Sequence, residues 1–177
     1  EQRRNAKTVN FGIVYGQTPF GLATQLGIDR SEAELYIRGY FERYSGVKKW
    51  IDRTIAEVRR TGVARTLDGR ERPIPDIDGR NPNARGFAER TAVNTPLQGT
   101  AADLIKLAMI RIDAGLTHRG WRSRMLLQVH DELVFETPPE EAGALARFVK
   151  ETMETVRRLE VPLIVDVGMG ENWRDAK

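Results

Sequence analysis

Over the first half of the chain, apolar and polar positions repeat with a helical period. Residues 1–15 predict a helix: basic and aromatic positions recur every four residues, and no proline intervenes before Pro19. Gly16 and the Gln17-Thr18-Pro19 stretch end it. A short helix over 20–26 stops at Gly27. Asp29-Arg30-Ser31-Glu32 then opens another, with Asp29 or Ser31 as its cap. That helix carries Leu35, Ile37, Tyr40 and Phe41 toward Ser45-Gly46. The next, over 47–60, sets Trp50, Ile51, Ile55 and Val58 on one face and ends at Thr61-Gly62.

The pattern then changes. Residues 63–66 and 72–74 flank Asp68-Gly69, a hairpin signal, and the run over 73–82, rich in Pro, Asp, Gly and Asn, predicts a loop. A helical period returns over 83–116, with Pro96 as a candidate break. Its stretch over 101–112 is strongly apolar, as expected of a helix packed on a sheet. Residues 123–129 and 133–137 predict two strands joined by His130-Asp131-Glu132. An amphipathic helix over 140–158 follows, then a final strand over 162–167. The predicted class is α+β: a helical first half, then a small antiparallel sheet backed by helices.

Composition narrows the class. The 177 residues are 40% hydrophobic and 30% charged, as in a globular domain. No apolar run approaches the ~20 residues of a spanning helix, so no membrane partner is expected. With no cysteine there is neither a disulfide nor a thiolate metal site, and His118 and His130 are too few for a His-built centre. A cytoplasmic location is the expectation. The net charge of +3 is uneven: residues 1–70 carry 13 basic and 8 acidic side chains, residues 71–177 carry 15 and 17. A basic first part suits a polyanion, although an arginine-rich composition alone would also produce it.

Three constellations could carry chemistry. Arg3, Lys7, Phe11 and Tyr15 stand at steps of four, which on a helix form one slowly drifting stripe. Two cations followed by two aromatic rings suit a nucleoside triphosphate held lengthwise, phosphates at one end and base at the other. The alternative is an amphipathic helix with a solvated basic end and Phe11 and Tyr15 in the core. Gly12, costly inside a helix, suggests close approach of something bulky. The second constellation is His130-Asp131-Glu132, a strand-to-strand turn without glycine. Adjacent carboxylates there suit a hard cation such as Mg2+, which takes one or two carboxylates plus substrate phosphates; an exposed polar turn is the plain alternative. The third, Arg90, Asn94 and Gln98 ahead of Gly99-Thr100-Ala101-Ala102-Asp103, aligns a cation and two amides able to reach phosphates and base edges. Polar groups on an ordinary helix face would read the same way. No P-loop and no Gly-x-Ser-x-Gly elbow is present, and Gly168-Met169-Gly170 lacks the third glycine of a dinucleotide fingerprint.

In this order the three constellations resemble family A, the bacterial DNA polymerase I family. Residues 3–16 resemble its motif B on the fingers helix, and His130-Asp131-Glu132 resembles motif C on a palm hairpin. The stretch from Arg90 to Asp103 resembles the segment between them, and Asn172-Trp173 the family's C-terminal tail. The resemblance runs nearly end to end. It implies fingers helices over 1–62 with the motif B helix at 1–15, a hairpin and loop over 63–82, and a palm portion over 83–177.

It also implies roles. Arg3 and Lys7 would contact the phosphates of an incoming deoxynucleoside triphosphate, with Lys7 also a proton donor to the leaving pyrophosphate. Phe11 would pack on its sugar and base, as in members that discriminate against dideoxynucleotides, and Tyr15 would lie at the templating base. Asp131 would be a catalytic metal ligand, with Glu132 nearby and His130 at the primer terminus. Arg90, Asn94 and Gln98 would contact primer-template DNA near its growing end. The implied activity is two-metal nucleotidyl transfer with Mg2+ in bacterial DNA replication and repair, in the nucleoid.

One departure stands out. Two-metal transfer needs a second carboxylate, and Asp103, Asp113 and Asp166 have no setting comparable to Asp131. In the family that aspartate lies in motif A, before the fingers helix, as does the thumb. The expectation is therefore a fragment that is inactive alone, partnered by the missing N-terminal part and exposing apolar surface where that part would cover it. A non-catalytic nucleotide- or nucleic-acid-binding module is the rival expectation.

Overall fold

The computed structural model describes residues 2–176. Among them are six helices and two two-stranded antiparallel sheets, the expected α+β class. No helix is long and apolar enough to cross a membrane. The chain forms two compact units, one up to Thr100 and one from Ala101 onward, and one long helix contributes to both.

The first unit begins with α1 (Gln2–Val14), α2 (Pro19–Leu26), α3 (Arg30–Arg43) and α4 (Ser45–Thr61). Thr18 caps α2 by accepting from the Gly21 N–H, with Pro19 at the first helical position where its missing N–H costs nothing. Gly27 and Gly62 close α2 and α4 in the left-handed conformation, with φ of 67° and 75°. Leu22, Ala23 and Ala33 form one small core, with Val9, Leu26, Ile28 and Ile37 packed against it.

A second core joins Val58 of α4 to Ala64, Ile74, Ile77, Ala88 and Ala92. It is reached through the hairpin β1 (Val63–Arg65) and β2 (Glu71–Pro73), paired Ala64 to Arg72 around a turn that includes Asp68-Gly69. The hairpin is tied to α5 (Pro82–Arg119): the Leu67 N–H donates to Thr100 Oγ1 at 3.0 Å, and Arg70 Nη2 donates to the Gly99 carbonyl at 3.0 Å.

Those ties bear on Pro96. An interior proline costs about 3 kcal/mol or more in lost hydrogen bond and steric clash, so a break was expected there. The helix instead runs unbroken from Pro82 to Arg119. Buried Ala88 and Ala92 anchor it before the proline, and the hairpin holds Gly99 and Thr100 after it. Tertiary contacts outweigh the local penalty.

In the second unit, Ala108, Ile112 and Leu116 of α5 pack against Leu145 and Val149 of α6 (Pro139–Glu154) and against Val156. Met125 on β3 (Arg124–Val129) and Leu133 and Phe135 on β4 (Glu132–Glu136) pack on the same core. The apolar part of α5 thus lies on a sheet, as its composition predicts. The register slips between Met125 and Leu127, leaving Leu126 as a bulge.

Two expectations here need correction. Helix α6 ends at Glu154, not near 158, because Thr155 turns out of helical geometry. Residues 162–167 form no strand: they run irregularly, with Ile164 77% and Val167 45% exposed. Their β-branched composition was a sound strand signal, but a strand exists only when a neighbour accepts its backbone bonds. Among the described residues the Val165 N–H donates to a side chain, Glu154 Oε1, rather than to a ladder. Leu126 and Leu127 are also about half exposed, in keeping with the expected uncovered apolar surface.

One carboxylate closes this unit's entry. Glu141, in the first turn of α6, accepts from the Ser123 hydroxyl and from the N–H groups of Ser123 and Arg122 ahead of β3. The Ser123 hydroxyl bond, then the Arg122 backbone bond, hold its carboxyl below the usual range. A depressed carboxylate adds stability above its unfolded pKa and loses it as pH falls through the folded value. Glu141→Gln is expected to lower the urea midpoint at neutral pH. Its deficit relative to the unaltered protein should shrink as pH drops below about 4; a deficit equally large in acid would contradict the assignment.

Candidate functional site

The helical stripe survives in the structure as an open face of α1. Lys7 is exposed, and Phe11 and Tyr15 are 45% and 39% exposed, so the rings are not core residues. Lys7 Nζ sits 5.7 Å from the Phe11 ring centroid, and the Phe11 and Tyr15 rings stack 6.1 Å apart at 11°. Cation, ring and ring therefore follow one another along one surface. Arg3, one turn earlier on the stripe, is exposed as well. The opposite side of α1 holds the helix in place, with Ile13 buried and Val9 packed on the α2–α3 core.

This face forms one wall of an open cleft of about 460 Å3, to which Lys7, Phe11, Gly12 and Tyr15 contribute. Gln17, Gln25 and Arg90 contribute to the rest. The first unit thus brings Arg90 of α5 to the same cleft as the α1 stripe, although the two lie far apart in sequence.

Two glycines let the long side chains close in. A Cβ on Gly12 would stand 2.0 Å from Gln17 Oε1, and one on Gly16 would stand 3.0 Å from Arg90 Cγ. Gly16 also takes a φ of 77°, which a side chain would strain. What approaches Gly12 is thus the Gln17 amide. That amide donates to Gln25 Oε1 at 2.8 Å, and its own oxygen is enclosed without a hydrogen-bond partner among the described residues. Sequence reasoning missed Gln17 and Gln25. Their signal was indirect: a glycine inside α1 whose gap had to be filled by some group five residues on.

Further along α5, Gln98 is exposed and Asn94 is half-buried. The Asn94 amide oxygen is enclosed with no hydrogen-bond partner among the described residues. A buried acceptor left unsatisfied costs about 1–3 kcal/mol, so such atoms cluster where something else supplies a donor.

His130, Asp131 and Glu132 lie in the second unit. The connection between strands is two residues, His130 and Asp131; Glu132 already belongs to β4 and pairs with Val129. His130 carries a φ of 55°, the left-handed region that glycine enters freely and that asparagine, aspartate and histidine enter more often than other residues. That conformation costs roughly 1–2 kcal/mol for a residue with a Cβ. Gln128 Nε2 donates to the His130 carbonyl at 2.6 Å and braces it. All three side chains are exposed. Among the described residues no three acidic or histidine side chains converge as a metal cage. The donors present suit an ion that takes one or two carboxylates and fills its shell with phosphate oxygens and water, as Mg2+ does.

Comparison with known proteins places the chain in a family. The sequence model of DNA polymerase family A matches residues 1–175. DNA polymerase I of Streptococcus pneumoniae is 53% identical over 175 residues, 99% of this chain and 20% of the relative. The thermostable DNA polymerase I of Thermus aquaticus is 51% identical, over 99% of this chain and 21% of the relative. Among solved structures, the POL domain of Pol1 from M. smegmatis, in complex with DNA primer-template and dNTP, matches with a TM-score of 0.95 and 44% identity. That match covers 98% of this chain and 31% of the other. The chain thus spans about a fifth of the length of these curated relatives, and it belongs to DNA polymerase family A.

Proposed function

We propose that this chain is the part of a DNA-directed DNA polymerase that grips the incoming deoxynucleoside triphosphate and the primer end, in template-directed nucleotidyl transfer. The observation that carries the reading is the order of groups along the cleft: Lys7, then Phe11, then Tyr15, faced by Arg90. Point charge and bidentate guanidinium suit phosphates, and stacked rings suit a base. The neighbour solved with DNA primer-template and dNTP supports the same ligands.

In this reading Arg3 and Lys7 bind the triphosphate, and Lys7 gives a proton to the departing pyrophosphate oxygen. Phe11 packs on sugar and base, and Tyr15 marks the templating position. Arg90, Asn94 and Gln98 hold the duplex end, and His130 meets the primer terminus. Asp131, beside Glu132, is a ligand for Mg2+, which when bound neutralises charge developing on the transferred phosphoryl group. A strained turn that no turn preference explains fits a residue kept for chemistry. The second carboxylate would come from motif A, outside these 177 residues. Helices α1 to α4 correspond to fingers, and residues 83–177, which carry the motif C hairpin, to palm.

Primer extension by a complete polymerase carrying this segment tests the metal assignment. Asp131→Ala should abolish extension while largely sparing primer-template binding; near-normal extension would refute it, and DNA binding without any extension by the unaltered protein would favour a non-catalytic module. The cleft is tested separately. Lys7→Ala should weaken triphosphate affinity about ten- to a hundredfold, the size of a lost charge-assisted bond, and should flatten its salt dependence. Unchanged affinity would remove Lys7 from the phosphate site.

A further inference from the structure

Helix α1 has to leave one face open, so what fixes its rotation about its own axis becomes a question in itself. The helix has few contacts to fix it with. Ile13 is buried and Val9 is partly so, and both sit on the side away from the stripe. Apolar contacts of this kind resist separation but are non-directional and hold rotation weakly. Asn10 lies between the two sides, a 100° step from Phe11 and flanking the stripe. Its Oδ1 accepts from the Tyr40 hydroxyl of α3 at 3.1 Å.

Tyr40 is well placed to act as a fixed point. Its ring lies edge-on to Phe41 at 5.7 Å and tilted against Tyr44 at 4.9 Å. It lines a second groove, of about 580 Å3, together with Val9 of α1 and with Tyr36 and Tyr44. A ring pinned on several sides presents its hydroxyl in one direction, and a hydrogen bond is directional where apolar packing is not. Burial, and then the neighbouring Tyr44, push the Tyr40 hydroxyl above the ordinary tyrosine range, so it remains a proton donor well past neutral pH.

We propose that Tyr40 is a positioning residue for nucleotide binding: its hydroxyl, held on Asn10, sets the roll of α1 and so the aim of Lys7, Phe11 and Tyr15 into the cleft. This rests on the reading of that cleft as a triphosphate site. Tyr40 itself lies in the other groove and acts through Asn10, on the face of α3 that meets α1.

The test uses the complete polymerase carrying this segment, with single-nucleotide incorporation giving KM for dNTP and kcat, and with a melting curve for each variant. Tyr40→Phe keeps the ring and removes only the hydroxyl. It should raise KM about three- to tenfold, the size of one neutral hydrogen bond, with kcat within about twofold and the melting temperature unmoved. Asn10→Ala should do the same, and the double variant should be no worse than either single one, because both remove one bond. An unmoved KM in Tyr40→Phe, or additive losses in the double variant, would overturn the assignment of Tyr40 while leaving the cleft reading intact. Loss of melting temperature in step with KM would reduce Tyr40 to a structural contact and overturn it too. If the unaltered polymerase incorporates no nucleotide against a template, the cleft reading fails, and this inference with it.

Discussion

A helix that leaves one face open has only the remaining arc for packing, and that constraint shapes the first unit. In α1 the four-residue spacing that lines up Lys7, Phe11 and Tyr15 leaves those three exposed. Only the remaining arc is available for packing. Ile13 and Val9 fill it, seated on a core made largely of Leu22, Ala23 and Ala33. Small residues at Ala23 and Ala33 let the helices approach closely without needing a large apolar area from α1. The stripe is thus affordable only because its neighbours supply the core.

The same constraint explains why the cleft was only half legible in the sequence. Spacing alone could order Lys7, Phe11 and Tyr15 but could not decide between a binding face and an amphipathic helix with buried rings. Exposure removes the second of these, since neither ring is buried. Gly12 was legible as a sign of close approach, yet the approaching group proved to be Gln17 from the same chain. Arg90 was read as a candidate duplex contact and not as a wall of this cleft, since no local pattern connects it to Gly16, 74 positions earlier. Local periodicity encodes a face; which faces meet is tertiary information.

Elements whose backbone bonds close within themselves or with a near neighbour were read well, and the expected strand with no neighbour was not. Helices α1 to α4 close their hydrogen bonds internally, so capping signals and glycine stops placed them within a few residues. The β1–β2 hairpin carries its partner a few residues away around Asp68-Gly69. Residues 162–167 have strand composition but no neighbouring strand among the described residues, and remain irregular with Ile164 and Val167 exposed. Pro96 errs in the opposite sense: a local helix breaker is overridden because contacts on both sides of it hold the helix together.

The turn at His130-Asp131 joins β3 to β4 without a glycine. A two-residue connection needs a left-handed residue, and Asn-Gly or Asp-Gly would supply one at no strain. Here a histidine accepts the strain, Gln128 braces its carbonyl, and Val129 paired with Glu132 closes the ladder directly behind. A turn kept only for topology gains nothing from this arrangement, because a glycine would form the same hairpin more stably. A turn that must present an imidazole and a carboxylate in fixed directions does gain. A residue carried on a braced turn has less backbone freedom to lose on meeting a ligand than one carried on a mobile loop. The strain at His130 and the defined backbone path through Asp131 are then two consequences of one backbone choice.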